Sequence, residues 1–351
     1  MYSASYKKHR LKFRFLAGTS RGTMTQRDTY FIYLSKKQKN DDTIIGTGEI
    51  SPLSGLSIDF LPNLETIIAD VCKRIENSSE KNTIDSLQAI FDLIPASLPA
   101  VRFGFETAFL DLQNGGKRLI YKNDFSLNQK AIPINGLVWM GDFEFMQSQL
   151  EEKLEQGFSC IKLKIGAIDF EKECKLLELI RKRFDENKIT IRVDANGAFA
   201  ADEALNKLEI LSNYAIHSIE QPIAANQWYE MKQLCAATPL PIALDEELIP
   251  LTNLEDKKQM LDYIKPQFVI FKPTLLGGLQ KTAEWIELCK EKNIDWWITS
   301  ALESNIGLNA IAQFVANYNP TLPQGLGTGK LYHNNIESSL KIEKGEIFSR
   351  K

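Results

Sequence analysis

The feature that most constrains this chain of 351 residues is a recurrence. Short apolar stretches, each suited to a buried strand, return at intervals of about 24–30 residues. They cover 134–140, 160–165, 190–194, 216–220, 242–245, 268–272, 296–300 and 322–326. Amphipathic helical stretches lie between them, among them 170–183, 202–213 and 279–292. One strand, one helix and two loops fill such an interval, and eight of these strands close a barrel. The residues themselves do not repeat, so the periodicity is one of architecture. This places an α/β TIM-type barrel over residues 126–330.

The first 125 residues read differently. Strand-like runs at 7–15, 28–34 and 44–50 are followed by helical periodicity at 64–75, 84–94 and 101–112. The polar stretch 17–27, with two glycines, is expected to be a loop. An α+β unit over 1–125 is the expectation, rejoined by the tail 331–351, whose segment 338–348 again looks like a strand.

Charge excludes several functions. Lys and Arg number 42 against 45 Asp and Glu, with no basic block, so a nucleic-acid groove is not expected. No apolar run reaches the ~18–20 residues that span a bilayer, and no secretory leader is visible at the start. Five scattered cysteines without a CxxC pair point to a reducing, cytoplasmic setting. Nothing in the pattern distinguishes a monomer from a homo-oligomer.

In a barrel of this kind, function gathers at the C-terminal ends of the strands. Those ends read IKLKIG, IRVDANG, SIEQP, ALDEEL and FKPTLLGG, with Lys162, Lys164, Arg192, Asp194, Glu220, Asp245 and Lys272. A period of two puts Lys162 with Lys164, and Arg192 with Asp194, on one face. Asp194, Glu220 and Asp245 come from three adjacent strands, and three anions held together require a cation. A hard divalent ion, Mg²⁺ with Mn²⁺ as a substitute, suits such oxygen ligands. A lone acid of this kind would only cap a helix or pair with a lysine; three in register argue for the ion. Lys162, Lys164 and Lys272 flank the trio, and mutual repulsion should lower lysine basicity to a pKa of about 7–8. Such an amine can take a proton next to a carboxylate.

Weaker candidates surround this set. Ser300, Glu303 and Ser304 lie at the mouth of the seventh strand, within SALESNIGLNA. Gly325 and Gly327, in GLGTG, either cradle an anion or make a tight turn, and the turn is the safer expectation. His9, His217 and His333 read as surface or core histidines, and Trp296 and Trp297 as packing residues.

The combination of lysine pair, Asp/Glu/Asp trio and later lysine resembles the enolase superfamily, specifically its muconate-lactonising subgroup. The segments TSRGTMTQRDTY, RFGFETAFLDL, INGLVWMG, FKPTLLGG, ITSALESNIGLNA and QGLGTG strengthen the likeness, which runs over nearly the whole chain. The resemblance implies a modified (β/α)7β barrel under an N-terminal capping domain. It also implies a metal-dependent dehydration of a small cyclohexadiene dicarboxylate. Lys164 would be the base, with Lys162 tuning it and Lys272 steadying the anion from the opposite face. Mg²⁺ on Asp194, Glu220 and Asp245 would hold the enediolate. Arg192 is similar to a substrate-orienting arginine, Asn196 matches a DAN motif, and 17–27 resembles a mobile cap loop. Glu246 and Glu247 follow Asp245 where relatives commonly carry Glu-Ser, so Glu246 could share the metal.

Other activities fit the same scaffold. Two lysines across an enediolate could racemise an N-succinylamino acid, and muconate cycloisomerisation uses similar groups. A dipeptide epimerase would want an acid at the eighth strand, and 323–329 holds none. A Schiff-base aldolase would need no acid trio, and a non-catalytic barrel would show a lost lysine or ligand.

Overall fold

The structure, a computed structural model, describes residues 2–19, 22–38, 42–80 and 86–350. Its N-terminal part is an antiparallel sheet of β1 (Tyr2–Thr19), β2 (Gly22–Lys37) and β3 (Thr43–Ile50), in that order. Helices Leu64–Glu80, Leu87–Phe91 and Pro99–Gln113 cover it. The expected helix over 84–94 is thus shorter, and 84–85 lie outside the described residues. Strand β3 carries glycine where the last of these helices crosses it. A Cβ on Gly48 would stand 1.9 Å from the Gly104 carbonyl oxygen, and one on Gly46 2.0 Å from that of Ala108. Backbone meets backbone there, which only glycine permits.

The expected loop over 17–27 is instead the tip of the β1–β2 hairpin, where Ala17 pairs with Met24 and Gly18 with Thr23. Residues 20–21 lie outside the described residues. A register shift between Lys12 and Ala17 redirects the tip, and Gly18 forms a bridge to Met140 of the barrel. Phe15 packs against Trp139, ring centroids 5.5 Å apart. The partner that stabilises this extended tip therefore lies far away in sequence.

The barrel begins after the short β4 (Ile132–Pro133). Its strands are β5 (Gly136–Val138), β6 (Cys160–Lys164), β7 (Thr190–Asp194), β8 (Ser218–Glu220), β9 (Ile242–Leu244), β10 (Phe268–Phe271) and β11 (Asp295–Ile298), all parallel. Residues 324–325 close the ring: Gln324 bridges Ile134 and Gly325 bridges Thr299, both in parallel. The Gly325 N–H donates to Ile298 (2.8 Å), and the Asn135 N–H donates to Gln324 (3.0 Å). The (β/α)7β order expected from the strand recurrence and the resemblance is the order observed. Helices Phe143–Glu155, Phe170–Arg183 and Leu254–Ile264 are each capped by the side chain preceding them, Asp142, Asp169 and Asn253.

The tail divides its contacts. Residues 331–333 run along β1, with Arg14 N–H donating to Leu331 and His333 N–H to Lys12. The strand-like segment beyond them does not return to the N-terminal sheet. It folds into the hairpin β12 (Leu340–Glu343) and β13 (Glu346–Ser349), and β13 pairs with Ile132–Pro133 at the foot of the barrel. Lys344 and Gly345 turn this hairpin with positive φ (48° and 76°), the form that suits a two-residue connection.

Two buried carboxylates dock the N-terminal unit on the barrel. Glu49 of β3 accepts the N–H groups of Ser304 and Gly307 (both 2.8 Å), and Glu106 accepts those of Leu279 (2.6 Å) and Gln280 (2.8 Å). Each acid thus caps the N-terminus of a barrel helix, Asn305–Ala316 and Leu279–Glu291. Among the described residues no helix is long and apolar enough to cross a membrane.

Candidate active site

Parallel register brings the strand-end charges together. Lys162 lies beside Arg192, Lys164 beside Asp194, and Asp194 beside Glu220. Lys162 Nζ is 2.8 Å from Asp194 Oδ2 and also donates to Glu220. Lys164 Nζ is 2.9 Å from the same Asp194 oxygen and donates to Asn196 Oδ1 at 2.6 Å. On the far flank Lys272 donates to Asp245 and stands 3.7 Å from Glu220 Oε1. Three lysines and three acids therefore form one buried ionic cluster.

Its electrostatics depart from expectation in one respect. Burial disfavours the Lys162 ammonium, but Asp194 and Glu220 outweigh burial and hold its pKa above the ordinary lysine value. Lys272 is likewise raised, against burial, by Asp245 and Glu220. The acids, rather than lysine–lysine repulsion, dominate. Asp194 is held well below the usual carboxylate range, since the charges of Lys162, Lys164 and Lys272 overcome its burial. Glu220 is pushed up to about 7 by burial and by Asp194 next to it. Asp245 is raised by burial and by Glu246.

The donor set suits a hard divalent cation. All three acids present carboxylate oxygens from adjacent strands, and Glu220 Oε1 is buried with no hydrogen-bond partner. Lysine ammoniums now stand between the carboxylates, and among the described residues no three acids are grouped as closely as shared coordination requires. Asn196 Nδ2 donates to Glu246 Oε1 at 3.2 Å, which sets Glu246 beside the cluster. Glu247 points elsewhere and accepts from Asn226 N–H and Trp228 Nε1. Asn196 and Gln221, next to the acids, both hold positive φ (45° and 39°), a strain typical of functional loops.

Above the cluster lies a cavity of about 280 Å³. Lys162, Lys164, Asp194, Asn196 and Lys272 line its charged side, together with Ser300, Gly325 and Gly327. Ser300 Oγ lies 2.6 Å from Thr328 Oγ1. The glycines act by being small: neither has positive φ, and a Cβ on Gly325 would fall 2.1 Å from Thr299 Oγ1. The Gly325 N–H is engaged in closing the barrel, and residues 327–329 turn at the rim of the cavity.

Three expected substrate contacts are placed otherwise. Arg192 does not line the cavity; its guanidinium stacks 3.9 Å above Trp297 and donates to the Pro323 carbonyl at 2.7 Å. It sits two residues before Asp194 and therefore one interior layer lower. Glu303 is fully buried, accepting from Thr274 Oγ1 and Ala301 N–H, with burial raising its pKa to about 7. Ser304 caps its own helix and donates to Glu49. Conversely, Met24, Leu53, Ser54, Asn135 and Leu302 line the cavity without having been singled out. Met24, Asn135 and Leu302 fall within TSRGTMTQRDTY, INGLVWMG and ITSALESNIGLNA; Leu53 and Ser54 carry no charge or motif to mark them.

Comparison with known proteins agrees with this geometry. Residues 146–349 match the enolase C-terminal domain-like family. The chain is 46% identical to the o-succinylbenzoate synthase of Desulfotalea psychrophila, over 97% of both chains. It superposes on the crystal structure of MenC from Desulfotalea psychrophila with a TM-score of 0.85 at 42% identity, covering 99% of both chains. It also shares its fold with the dipeptide epimerase from Enterococcus faecalis, with a TM-score of 0.81 at 20% identity over 99% of this chain and 96% of that one.

Proposed function

We propose, since this chain belongs to the o-succinylbenzoate synthase family of the enolase superfamily, that it dehydrates 2-succinyl-6-hydroxy-2,4-cyclohexadiene-1-carboxylate. The product is 2-succinylbenzoate, on the route to menaquinone, and the enzyme is a hydro-lyase. The observation that carries this reading is the placement of Lys164 and Lys272 on either flank of the acid trio, at the floor of one cavity.

Lys164, partly open to the cavity and positioned by Asp194 and Asn196, gives up its own proton to solvent and, as the neutral amine, takes the proton on the carbon bearing the ring carboxylate. Lys272 faces the reacting carbon from the other flank, where its ammonium balances the charge that develops on the carboxylate. Lys162 and its carboxylate partners hold Lys164 in place. Lys164, now protonated, returns its proton to the departing hydroxyl, and aromatisation drives the step. Family members use a divalent ion; Mg²⁺, replaceable by Mn²⁺, on Asp194, Glu220 and Asp245 would supply fixed positive charge beside the substrate carboxylate. The five cysteines are free and buried thiols, which fits a reducing cytoplasm.

The test is the ultraviolet change on conversion of the diene, with Mg²⁺, with EDTA, and in Lys164→Ala. Turnover that is lost in EDTA and in the variant supports the assignment. A folded protein with no metal-dependent turnover overturns it. Racemisation of N-succinylamino acids would use the same lysine pair, and α-proton exchange in deuterated water measures that activity separately.

A further inference from the structure

We infer that Arg27 and Tyr332 form a clamp that holds Leu302 in a strained backbone conformation and thereby sets the apolar wall of the substrate cavity. The inference rests on the proposed reaction only for the identity of the ligand. Leu302 has φ of +63°, in the left-handed region that a γ-branched residue seldom occupies. Such strain persists only where the surroundings over-determine it. Here two buried side chains converge on the Leu302 carbonyl oxygen: Arg27 Nη1 at 2.8 Å and Tyr332 Oη at 2.6 Å.

Arg27 does more than hold one carbonyl. The same Nη1 donates to Ala301 O (2.8 Å), while Nη2 reaches Ser51 O (2.5 Å), Ser51 Oγ (2.8 Å) and Pro52 O (3.1 Å). One guanidinium, 8% exposed, therefore joins the loop after β3 to the loop after β11. It is itself carried on β2, whose tip overhangs the cavity. The three segments supply the apolar wall, Met24 from the hairpin tip, Leu53 and Leu56 from the loop after β3, and Ala301 and Leu302 from the loop after β11, and these pack in one cluster. The planar fork is what allows two loops to be gripped at once; a lysine ammonium has no such reach.

The charged floor of the cavity can recognise a carboxylate, but it cannot by itself orient a ring. The apolar wall meets the uncharged part of the ligand, and its position depends on Arg27. Arg27 and Tyr332 are thus positioning residues, acting on substrate through Leu302. Their loss should weaken ligand binding and leave the lysine chemistry largely intact.

The experiment compares wild type, Arg27→Met, Arg27→Lys and Tyr332→Phe. Three readouts are used: steady-state kinetics with the cyclohexadiene dicarboxylate, binding of 2-succinylbenzoate by tryptophan fluorescence, and amide hydrogen exchange without ligand. Expected are a KM and product Kd raised about tenfold in Arg27→Met and about threefold in Tyr332→Phe, with kcat within about threefold of wild type. Arg27→Lys should not rescue. Exchange should accelerate in 299–304 and, for the Arg27 variants, in 51–54. Unchanged KM and Kd in an active series, whatever happens to melting temperature, overturns the clamp as a positioning device. So does a fall in kcat at constant KM. If Arg27→Met does not fold, Tyr332→Phe decides by the same criteria. If wild type shows no turnover, the proposed reaction fails, and exchange alone then judges the clamp: unaltered exchange in 299–304 overturns it.

Discussion

Glu106, on a helix of the capping unit, accepts the backbone N–H of Leu279 at 2.6 Å and so fastens that unit to the helix following the sixth barrel strand. Burial pushes this carboxyl up to about 8, against the two N–H groups that favour its charge. A folded-state pKa above the ordinary 4.5 means that the group's contribution is fully present below about 4.5 and is lost as pH rises through about 8. Urea unfolding midpoints should therefore fall between pH 6 and pH 9, and Glu106→Gln should flatten that slope. A variant as steep as wild type would contradict the assignment.

His217 provides the opposite sign. Its ring lies tilted against Phe268, centroids 4.9 Å apart, and burial lowers its pKa to about 4. The unfolded chain then binds the proton first, so stability falls as pH drops from about 6.5 toward about 4. Replacing His217 by Gln should reduce this acid sensitivity in thermal unfolding followed at pH 7, 6 and 5.

Lys272 should matter for chemistry more than for binding. Lys272→Gln removes the positive charge paired with Asp245, which the proposed reaction uses to steady the developing anion, and kcat should fall by about 10²–10³. Product affinity, titrated by fluorescence, should change by far less. An unaltered kcat would remove Lys272 from the mechanism.

Gly325 lies where the last strand closes the ring. A Cβ there would meet Thr299 Oγ1 at 2.1 Å and Thr299 Cβ at 2.5 Å. Gly325→Ala should destabilise the fold by about 1–3 kcal/mol through overpacking. Denaturant unfolding gives this directly, and a loss below a few tenths of a kcal/mol would show that the strand yields easily.

Chelation should abolish dehydration, and added Mg²⁺ or Mn²⁺ should restore it. Calorimetric titration of Mg²⁺ into the chelated protein, repeated with Glu220→Gln, tests the ligand set independently of turnover. Unchanged affinity in the variant would exclude Glu220.

The parts of this molecule legible in its sequence are those written in local periodicity. The strand at 190–194 and the helix at 170–183 have their expected limits: the strand is a short run buried along nearly its whole length, and the helix buries Glu173, Leu176, Leu177 and Ile180 at helical spacing. The ionic cluster was legible for the same reason: Lys162, Lys164 and Asp194 project inward from consecutive strands in register. Depth within the barrel was not legible, so Arg192 was expected one layer too high. Nor were tertiary partners. Glu303 and Ser304 sit at a strand mouth, yet Glu303 is taken up by Thr274 and Ala301, and Ser304 by Glu49. The hairpin tip reads as a loop because its stabilising neighbours, Trp139 and Met140, are over a hundred residues away. Leu302 gives no sign of its positive φ, since Arg27 and Tyr332, which donate to its carbonyl, are distant in sequence.

Glu49 and Glu106 grip N–H groups of the main chain, which every residue except proline supplies. Apart from Ser304, whose hydroxyl also reaches Glu49, and Gly278 and Gly307, where a Cβ would crowd Glu106 Oε2 (2.0 Å) and Glu303 Cβ (2.7 Å), residues at the barrel mouth can exchange side chains without disturbing these contacts. Diversification of the pocket is thereby uncoupled from assembly of the two units, so new substrates can be explored at the rim while the scaffold keeps its alignment.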